Sequence, residues 1–265
     1  MDLELTGKVA WVAGGSGGIG SEVARELAAE GCAVALSGRN LERLQRRAAE
    51  LAAASGRKLI AIVADSADRA QIDSAAARIR AELGGIDILV NCAGTPGGKA
   101  AGPLAAVDDE LFLADLNEKY LGALRYARAT VPVMKARGWG RIINIGGLSA
   151  RQSGSYSAGG RNAGLTHLTK TLADELGADG ITVNIVHPGE TRSPWLESML
   201  EQRAGGDPAK AAELERKLAR HHAIGRLPDA AEIAHLVTFL ASPKAAAITG
   251  ESIAAGGGSQ RAVFY

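Results

Sequence analysis

A glycine-dense octet, Ala13-Gly14-Gly15-Ser16-Gly17-Gly18-Ile19-Gly20, stands between an aliphatic run, Val9 to Ala13, and a helical run, Ser21 to Glu30. A chain that passes from strand to helix through such a turn needs positive φ and a backbone free to lie close against its neighbours. The helix start then offers unpaired N–H groups and the positive end of its dipole to an anion. Two glycine registers fit, Gly14/Gly18/Gly20 and Gly15/Gly17/Gly20. In the order strand, turn, helix, the octet reads as a pyrophosphate cradle, with Ser16, Gly17, Gly18 and Ile19 at the contact.

Six further β-branched or aliphatic runs follow: Ala33 to Ser37, Leu59 to Ala64, Ile86 to Val90, Arg141 to Ile145, Ile181 to His187 and Ser252 to Ala255. Most are almost continuously apolar, as strands covered on both faces must be, and helical stretches separate them, as crossovers between parallel strands require. The expectation is an α/β protein of the Rossmann type, doubly wound, with a seven-stranded parallel sheet flanked by helices. It is expected to form one domain over 1–265, with a lid insertion at about 191–226 that carries Pro194, Gly205-Gly206-Asp207-Pro208 and a polar helical stretch, Ala209 to His222. In that lid, Trp195, Leu196, Met199 and Leu200 lie at helical spacing and read as a core stripe or a pocket wall.

With 30 basic and 29 acidic residues and a net charge of +1, the chain has no electrostatic footprint for nucleic acid, so its partner is expected to be a small molecule. The acidic start, MDLELTGK, and the lack of a long apolar run give neither a secretion signal nor a membrane span, and a cytoplasmic protein is expected. Cys32 and Cys92 have no metal or disulfide spacing and read as core thiols. No metal site is expected; His221 and His222 read as solvated, and His187 as a structural hydrogen-bond partner.

The second run ends in Ser37-Gly38-Arg39-Asn40, without the carboxylate that NAD-preferring sites place about 20 residues past the glycines. Arg39 offers a planar, bidentate partner for a 2′-phosphate, with Ser37 or Ser16 adding a hydroxyl. NADP(H) is therefore the expected cofactor, with NAD(H) left open.

Several segments together resemble the short-chain dehydrogenase/reductase family over nearly the full length. They are AGGSGGIG at Ala13 to Gly20, the Asp65 that ends the third run, NCAG at Asn91 to Gly94, RIINI at Arg141 to Ile145, VNIVHPG at Val183 to Gly189 and ITGESIAAGGG at Ile248 to Gly258. The resemblance implies that Asp65 and Ser66 flank the adenine and that Asn91, Ala93 and Gly94 back the nucleotide. It also implies that Pro188, Gly189 and Thr191 or Ser193 touch the nicotinamide carboxamide. A homotetramer or homodimer, packed through the helices 108–137 and 155–178, is implied in the same way.

Family members that reduce a carbonyl use a tyrosine as acid, a lysine four residues later that lowers its pKa, a serine that orients the carbonyl and an asparagine on the preceding helix. Here Tyr156 is the only tyrosine in the right region, and Gly160 follows it by four. Aligned instead by Ala163 to Leu176, the lysine position falls on Asn162 and the tyrosine position on Ala158. The serine position falls on Gly147, with Ser149 two residues on, and the asparagine position on Lys119, with Asn117 two before. The catalytic candidates are thus Tyr156, Lys119, Ser149 and Asn162, with the Lys119 ammonium expected to approach Tyr156 and replace the missing lysine.

The leading expectation is an NAD(P)(H)-dependent oxidoreductase that moves hydride between nicotinamide and a carbonyl or alcohol, using non-standard catalytic residues. Two other classes fit the same residues: a nucleotide-binding non-redox enzyme of dehydratase or isomerase type, and a catalytically silent nucleotide-binding protein.

Overall fold

The computed structural model describes residues 1–100 and 102–259. Its strands are β1 (Val9–Ala13), β2 (Ala33–Gly38), β3 (Leu59–Val63), β4 (Ile88–Asn91), β5 (Gly140–Ile145), β6 (Ile181–Pro188) and β7 (Ser252–Ala255). They pair in parallel throughout as one sheet, in the order β3-β2-β1-β4-β5-β6-β7. The helices are α1 (Gly18–Ala29), α2 (Leu41–Ser55), α3 (Arg69–Leu83), α4 (Asp109–Leu116), α5 (Gly122–Arg137), α6 (Tyr156–Leu176), α7 (Pro194–Ala204), α8 (Pro208–Ala219) and α9 (Ala230–Leu240).

The two-residue period of the strands divides the core. In β1, Val9, Trp11 and Ala13 point to one side, where they meet Ile72 and Ile79 of α3, Tyr126 of α5 and Leu165 and Leu172 of α6. Ala10 and Val12 point to the other, against Val23 and Leu27 of α1, Leu44 of α2 and Ile233 and Val237 of α9. Central strands are buried along their whole length, whereas the edge strand β3 alternates and leaves Val63 exposed. The strand order reverses between β1 and β4, and this opens a crevice at their carboxyl ends, where doubly wound sheets take their ligands.

The expected helix over 108–137 is in fact two. Asp108 caps α4 by accepting from Leu111 N, a π-helical turn spans Asn117–Leu121, and α5 resumes at Gly122. Such a turn admits an extra residue and redirects the side chains after it, and here Lys119 sits within it. The segment 191–226 holds two helices, α7 and α8. Ser193 caps α7 and Asp207 caps α8, and each cap is followed by a proline at the first helical turn, where its missing N–H costs nothing. Leu196, Leu200 and Leu227 are buried as a small core of their own, with Met199, Leu214 and Leu218 half-buried against it, while Trp195 is exposed.

Candidate active site

The glycine octet builds the floor of the crevice. Gly14 has φ +78°, and a Cβ there would stand 2.8 Å from Ala93 N, so only glycine lets the turn lie against the β4 loop. A Cβ on Gly20 would overlap the carbonyl oxygen of Gly14. Gly14 N and Gly15 N both donate to Ser37 O, which ties the turn to the end of β2. Gly17 is the N-cap of α1 and supplies no side-chain cap, so the first N–H groups of the helix stay available to an anion. Ser16, Gly17, Gly18 and Ile19 all retain exposure at this end, and Gly18 lies under Ser193, the cap of α7. A cradle that a single methyl group would fill, at a helix start with open donors, fits a dinucleotide pyrophosphate.

The ribose end corrects one expectation. Ser37 is fully buried, and its hydroxyl accepts from Trp11 Nε1 at 2.8 Å on the core side of the sheet. It is unavailable to a ligand because it lies four residues into a strand whose alternation turns it inward. Arg39, beyond the strand end, is largely exposed and has Glu118 at 3.9 Å across the crevice. Asp65 turns its carboxylate onto Ala67 N, and Ser66 is buried against Gly122. Asn91 donates to Asn144 Oδ1 at 2.8 Å, and Asn144 donates to Thr169. This buried chain fixes the ends of β4 and β5 relative to α6. Asn91, Ala93, Ser66, Glu118 and Lys119 also line a small cavity of about 10 Å³, room for a single water.

Lys119 reaches the same point from the π-turn. A Cβ on Gly94 would lie 3.1 Å from its Cδ, and its Nζ donates to Gly146 O at 3.0 Å. The ammonium therefore stands between the ends of β4 and β5. Burial, reinforced by the nearby charge of Arg161, pushes its pKa down to about 7, against the opposing influence of Cys92, Asp115 and Glu118. Cys92, desolvated beside it, is pushed up to about 11.

The expected pair of Lys119 and Tyr156 is not formed. Tyr156 is the first residue of α6 and remains 48 % exposed, while the hydrogen bond of Lys119 goes to a backbone carbonyl. Two positions further along α6 the geometry is different. Asn162 meets the loop after β5, where its Nδ2 donates to Ser149 Oγ at 2.8 Å and Ser149 Oγ donates to the backbone carbonyl of Ala158 at 3.3 Å, while the Ala158 methyl, one helical turn before, meets Gly98 of the loop after β4. A Cβ on Gly147 would stand 3.0 Å from Asn162 Nδ2, so the Asn162 amide fills the space a side chain at 147 would need. Ser155 caps α6 by accepting from Ala158 N.

Above this face lies the loop after β4. Ser157 accepts from Ala100 N, Ser155 donates to Gly97 O, Arg161 donates to Thr95 O at 2.5 Å, and Asp115 of α4 accepts from Lys99 N. Arg161 and Asp115 form an ion pair whose side chains are 2 % and 0 % exposed. Sequence reasoning missed this clamp; the only available signal was an arginine at a helix position otherwise lined by small residues.

His187, at the end of β6, has its Nδ1 beside Gly147 N and O and its Nε2 beside Thr166. Burial pushes its pKa down to about 4, so it stays neutral and holds the β5 loop. Pro188 and Gly189 continue that strand end, with Gly189 packed on Gly256, and Thr191 Oγ1 donates to Gly189 O. His221 is exposed as expected, but His222 is buried, its Nε2 facing Glu190 O, because the turn after α8 folds back onto the Gly257-Gly258 turn.

Residues 13–260 match the sequence model of the enoyl-(acyl carrier protein) reductase family. The chain is 35 % identical over 258 residues to the 3-oxoacyl-(acyl-carrier-protein) reductase FabG of Escherichia coli, covering 97 % of this chain and 98 % of that one. It is 34 % identical over 251 residues to the short-chain reductase protein NovJ of Streptomyces niveus, covering 94 % and 93 %. Its fold matches L-sorbose reductase from Gluconobacter frateurii, solved with NADPH and L-sorbose, with a TM-score of 0.94 at 30 % identity over 99 % of this chain and 100 % of that one. NAD⁺-bound xylitol dehydrogenase matches with a TM-score of 0.87 at 26 % identity, covering 96 % and 100 %. The chain belongs to the short-chain dehydrogenase/reductase family of NAD(P)-dependent oxidoreductases.

Proposed function

We propose that this chain interconverts a small ketone and its secondary alcohol with NADP(H), and that Lys119 rather than a tyrosine exchanges the proton. The observation that carries the reading is the position of the Lys119 amine between Gly94 and Gly146, at the carboxyl ends of β4 and β5, with a pKa brought down to about 7. An acid–base group works best with a pKa near the working pH, and an amine at 7 gives and takes a proton there. The family's tetrad positions are read as Lys119, Gly147, Ala158 and Asn162. The local packing supports that register, because Asn162 fills the space beside Gly147 and the Ala158 methyl meets Gly98 of the loop after β4.

Residues Gly14, Gly17, Gly18 and Gly20 with the start of α1 would hold the pyrophosphate. Arg39 would meet a 2′-phosphate, Asp65 and Ser66 the adenine side, Asn91 to Gly94 the back of the nucleotide, and Pro188, Gly189 and Thr191 the carboxamide. When bound, the dinucleotide supplies or accepts a hydride at the carbonyl carbon. In the direction of reduction, Lys119 Nζ gives a proton to the carbonyl oxygen as it becomes an alcohol, and the neutral amine is reprotonated from solvent. Ser149, whose hydroxyl accepts from Asn162 Nδ2 and donates to Ala158 O, would turn that one O–H from Ala158 O to the substrate oxygen. The lid helices α7 and α8 exclude water, held by Arg192 between Glu215 and Asp229. Ketone substrates are supported by the 3-oxoacyl and sorbose reductases among the relatives. Leu104, Leu111, Leu113 and Leu121, exposed around α4 and the π-turn, support a homo-oligomer packed through that face. Among the described residues no helix is long and apolar enough to cross a membrane, and a cytoplasmic location is part of the same reading.

The experiment is a ketone and ketose panel with NADPH, run on the wild type and on Lys119→Met. Turnover in the wild type that falls at least 100-fold in the variant, with nucleotide affinity retained, supports the reading; turnover unchanged in Lys119→Met overturns it.

A further inference from the structure

The clamp between α4 and α6 has no role in the chemistry so far described, yet it is the most deeply buried ion pair in the described structure. Its members are expensive to bury: two charges out of water cost several kcal/mol each and recover this only with good geometry and further hydrogen bonds. Asp115 is fully supplied, since its second oxygen accepts from Lys99 N. Arg161 is not. One amino group binds Asp115 and the other Thr95 O, but its Nε is buried without a partner among the described residues. A pair kept for stability alone would do as well as an apolar contact of equal volume.

Its location gives it a use. Thr95 follows Gly94, and Gly94 forms the wall against the stem of Lys119. By gripping the carbonyl of Thr95, Arg161 fixes that wall, and through Asp115 it fixes Lys99 and the remainder of the loop over Ala158. We propose that Arg161 is the positioning residue of this site: locked to Asp115 and to the Thr95 carbonyl, it holds the 95–100 loop in place and sets a second, permanent cation beside Lys119. A guanidinium suits this task because it does not lose its charge at any working pH, whereas the lysine it faces does. The inference rests on the proposed role of Lys119.

The groups that face Lys119 are Arg161 from α6, Asp115 from α4, Glu118 from its own turn, Cys92 from the end of β4, Gly146 O from β5 and, further off, His187 of β6. Of the charged ones, Arg161 bears most strongly toward the neutral amine and Asp115 and Glu118 oppose it. Its removal should therefore make Lys119 harder to deprotonate.

The test needs no substrate. Lysines of the full-length protein are reductively methylated with ¹³C-formaldehyde, and the Lys119 signal, assigned by its loss in Lys119→Arg, is followed by ¹³C NMR from pH 5 to 11 in the wild type, Arg161→Lys and Arg161→Gln. The expected result is a wild-type midpoint near 7, retained in Arg161→Lys and raised by at least half a pH unit in Arg161→Gln. If Arg161→Gln does not fold, the amide pair Arg161→Gln/Asp115→Asn keeps the hydrogen bonds without the charges, and its midpoint should also rise, by less. A wild-type midpoint near 7 that neither neutral variant moves overturns the role of Arg161 and leaves Lys119 standing. A wild-type midpoint near 10 overturns the proposed role of Lys119 itself, and this inference with it.

Discussion

The backbone of Gly98 rests directly on the methyl group of Ala158: a Cβ built on Gly98 would stand 3.0 Å from it. In the proposed register Ala158 takes the place of the family's tyrosine, and the 95–100 loop lies where that ring would project. On that proposal, the alanine at 158 and the conformation of the 95–100 loop are two aspects of one packing arrangement. The same holds across the site, where Asn162 fills the room that a side chain at Gly147 would take.

Restoring the family's residues singly should therefore fail. Ala158→Tyr has to displace the loop from Ser155, Ser157 and Arg161, and Gly147→Ser has to displace the Asn162 amide. Each is expected to destabilise the protein by about 1–3 kcal/mol, as overpacking does, without creating tyrosine-dependent activity. Denaturant melts of the two variants check this, and a neutral effect at Ala158 would contradict the packing.

In the proposed mechanism Lys119 sets the pH dependence. Reduction requires the ammonium, which is present below about 7, so the rate should fall as pH rises through 7; oxidation of the alcohol requires the amine and should rise over the same range. Initial rates in both directions between pH 5.5 and 9 read this out.

The same lysine is expected to weaken the fold. Its folded pKa lies below its unfolded value, so the penalty is fully present below about pH 7 and fades as pH rises toward 10.5. Lys119→Met should accordingly be more stable than the wild type at pH 6, by about 1–2 kcal/mol, in the manner of active-site residues replaced by inert ones. The difference should shrink at pH 10. Thermal melts at the two pH values check the sign.

At the nucleotide end, Arg39→Ala should weaken NADPH binding at least tenfold while changing NADH binding little, the loss of a charge-assisted contact to one phosphate. Gly20→Ala should weaken both, because its methyl group would meet the carbonyl of Gly14. Fluorescence titration with the two nucleotides separates these effects.

The sheet was legible because strands covered on both faces must be apolar, and their limits shift by no more than two residues from the aliphatic runs at 9–13, 33–37, 59–64, 86–90, 141–145, 181–187 and 252–255. The glycine cradle was legible because Gly14 and Gly20 leave no room for a Cβ. Ser37 was not, since the strand's alternation decides which way a hydroxyl points and a motif of four residues does not reveal it. The break at Asn117–Leu121 left no mark in the helical pattern, because a π-turn adds a residue without needing glycine or proline. Nor did adjacency of Tyr156 and Lys119 follow from both lying near the crevice: Tyr156 starts its helix at the solvent edge, whereas Lys119 turns inward to Gly146.

The most direct test of the account compares Lys119→Met with Tyr156→Phe in NADPH-dependent reduction of a ketone turned over by the wild type. The account predicts that Tyr156→Phe keeps its rate within about threefold and that Lys119→Met loses at least 100-fold with its nucleotide affinity intact. The reverse pattern, activity lost with the Tyr156 hydroxyl and kept without the Lys119 amine, would contradict it.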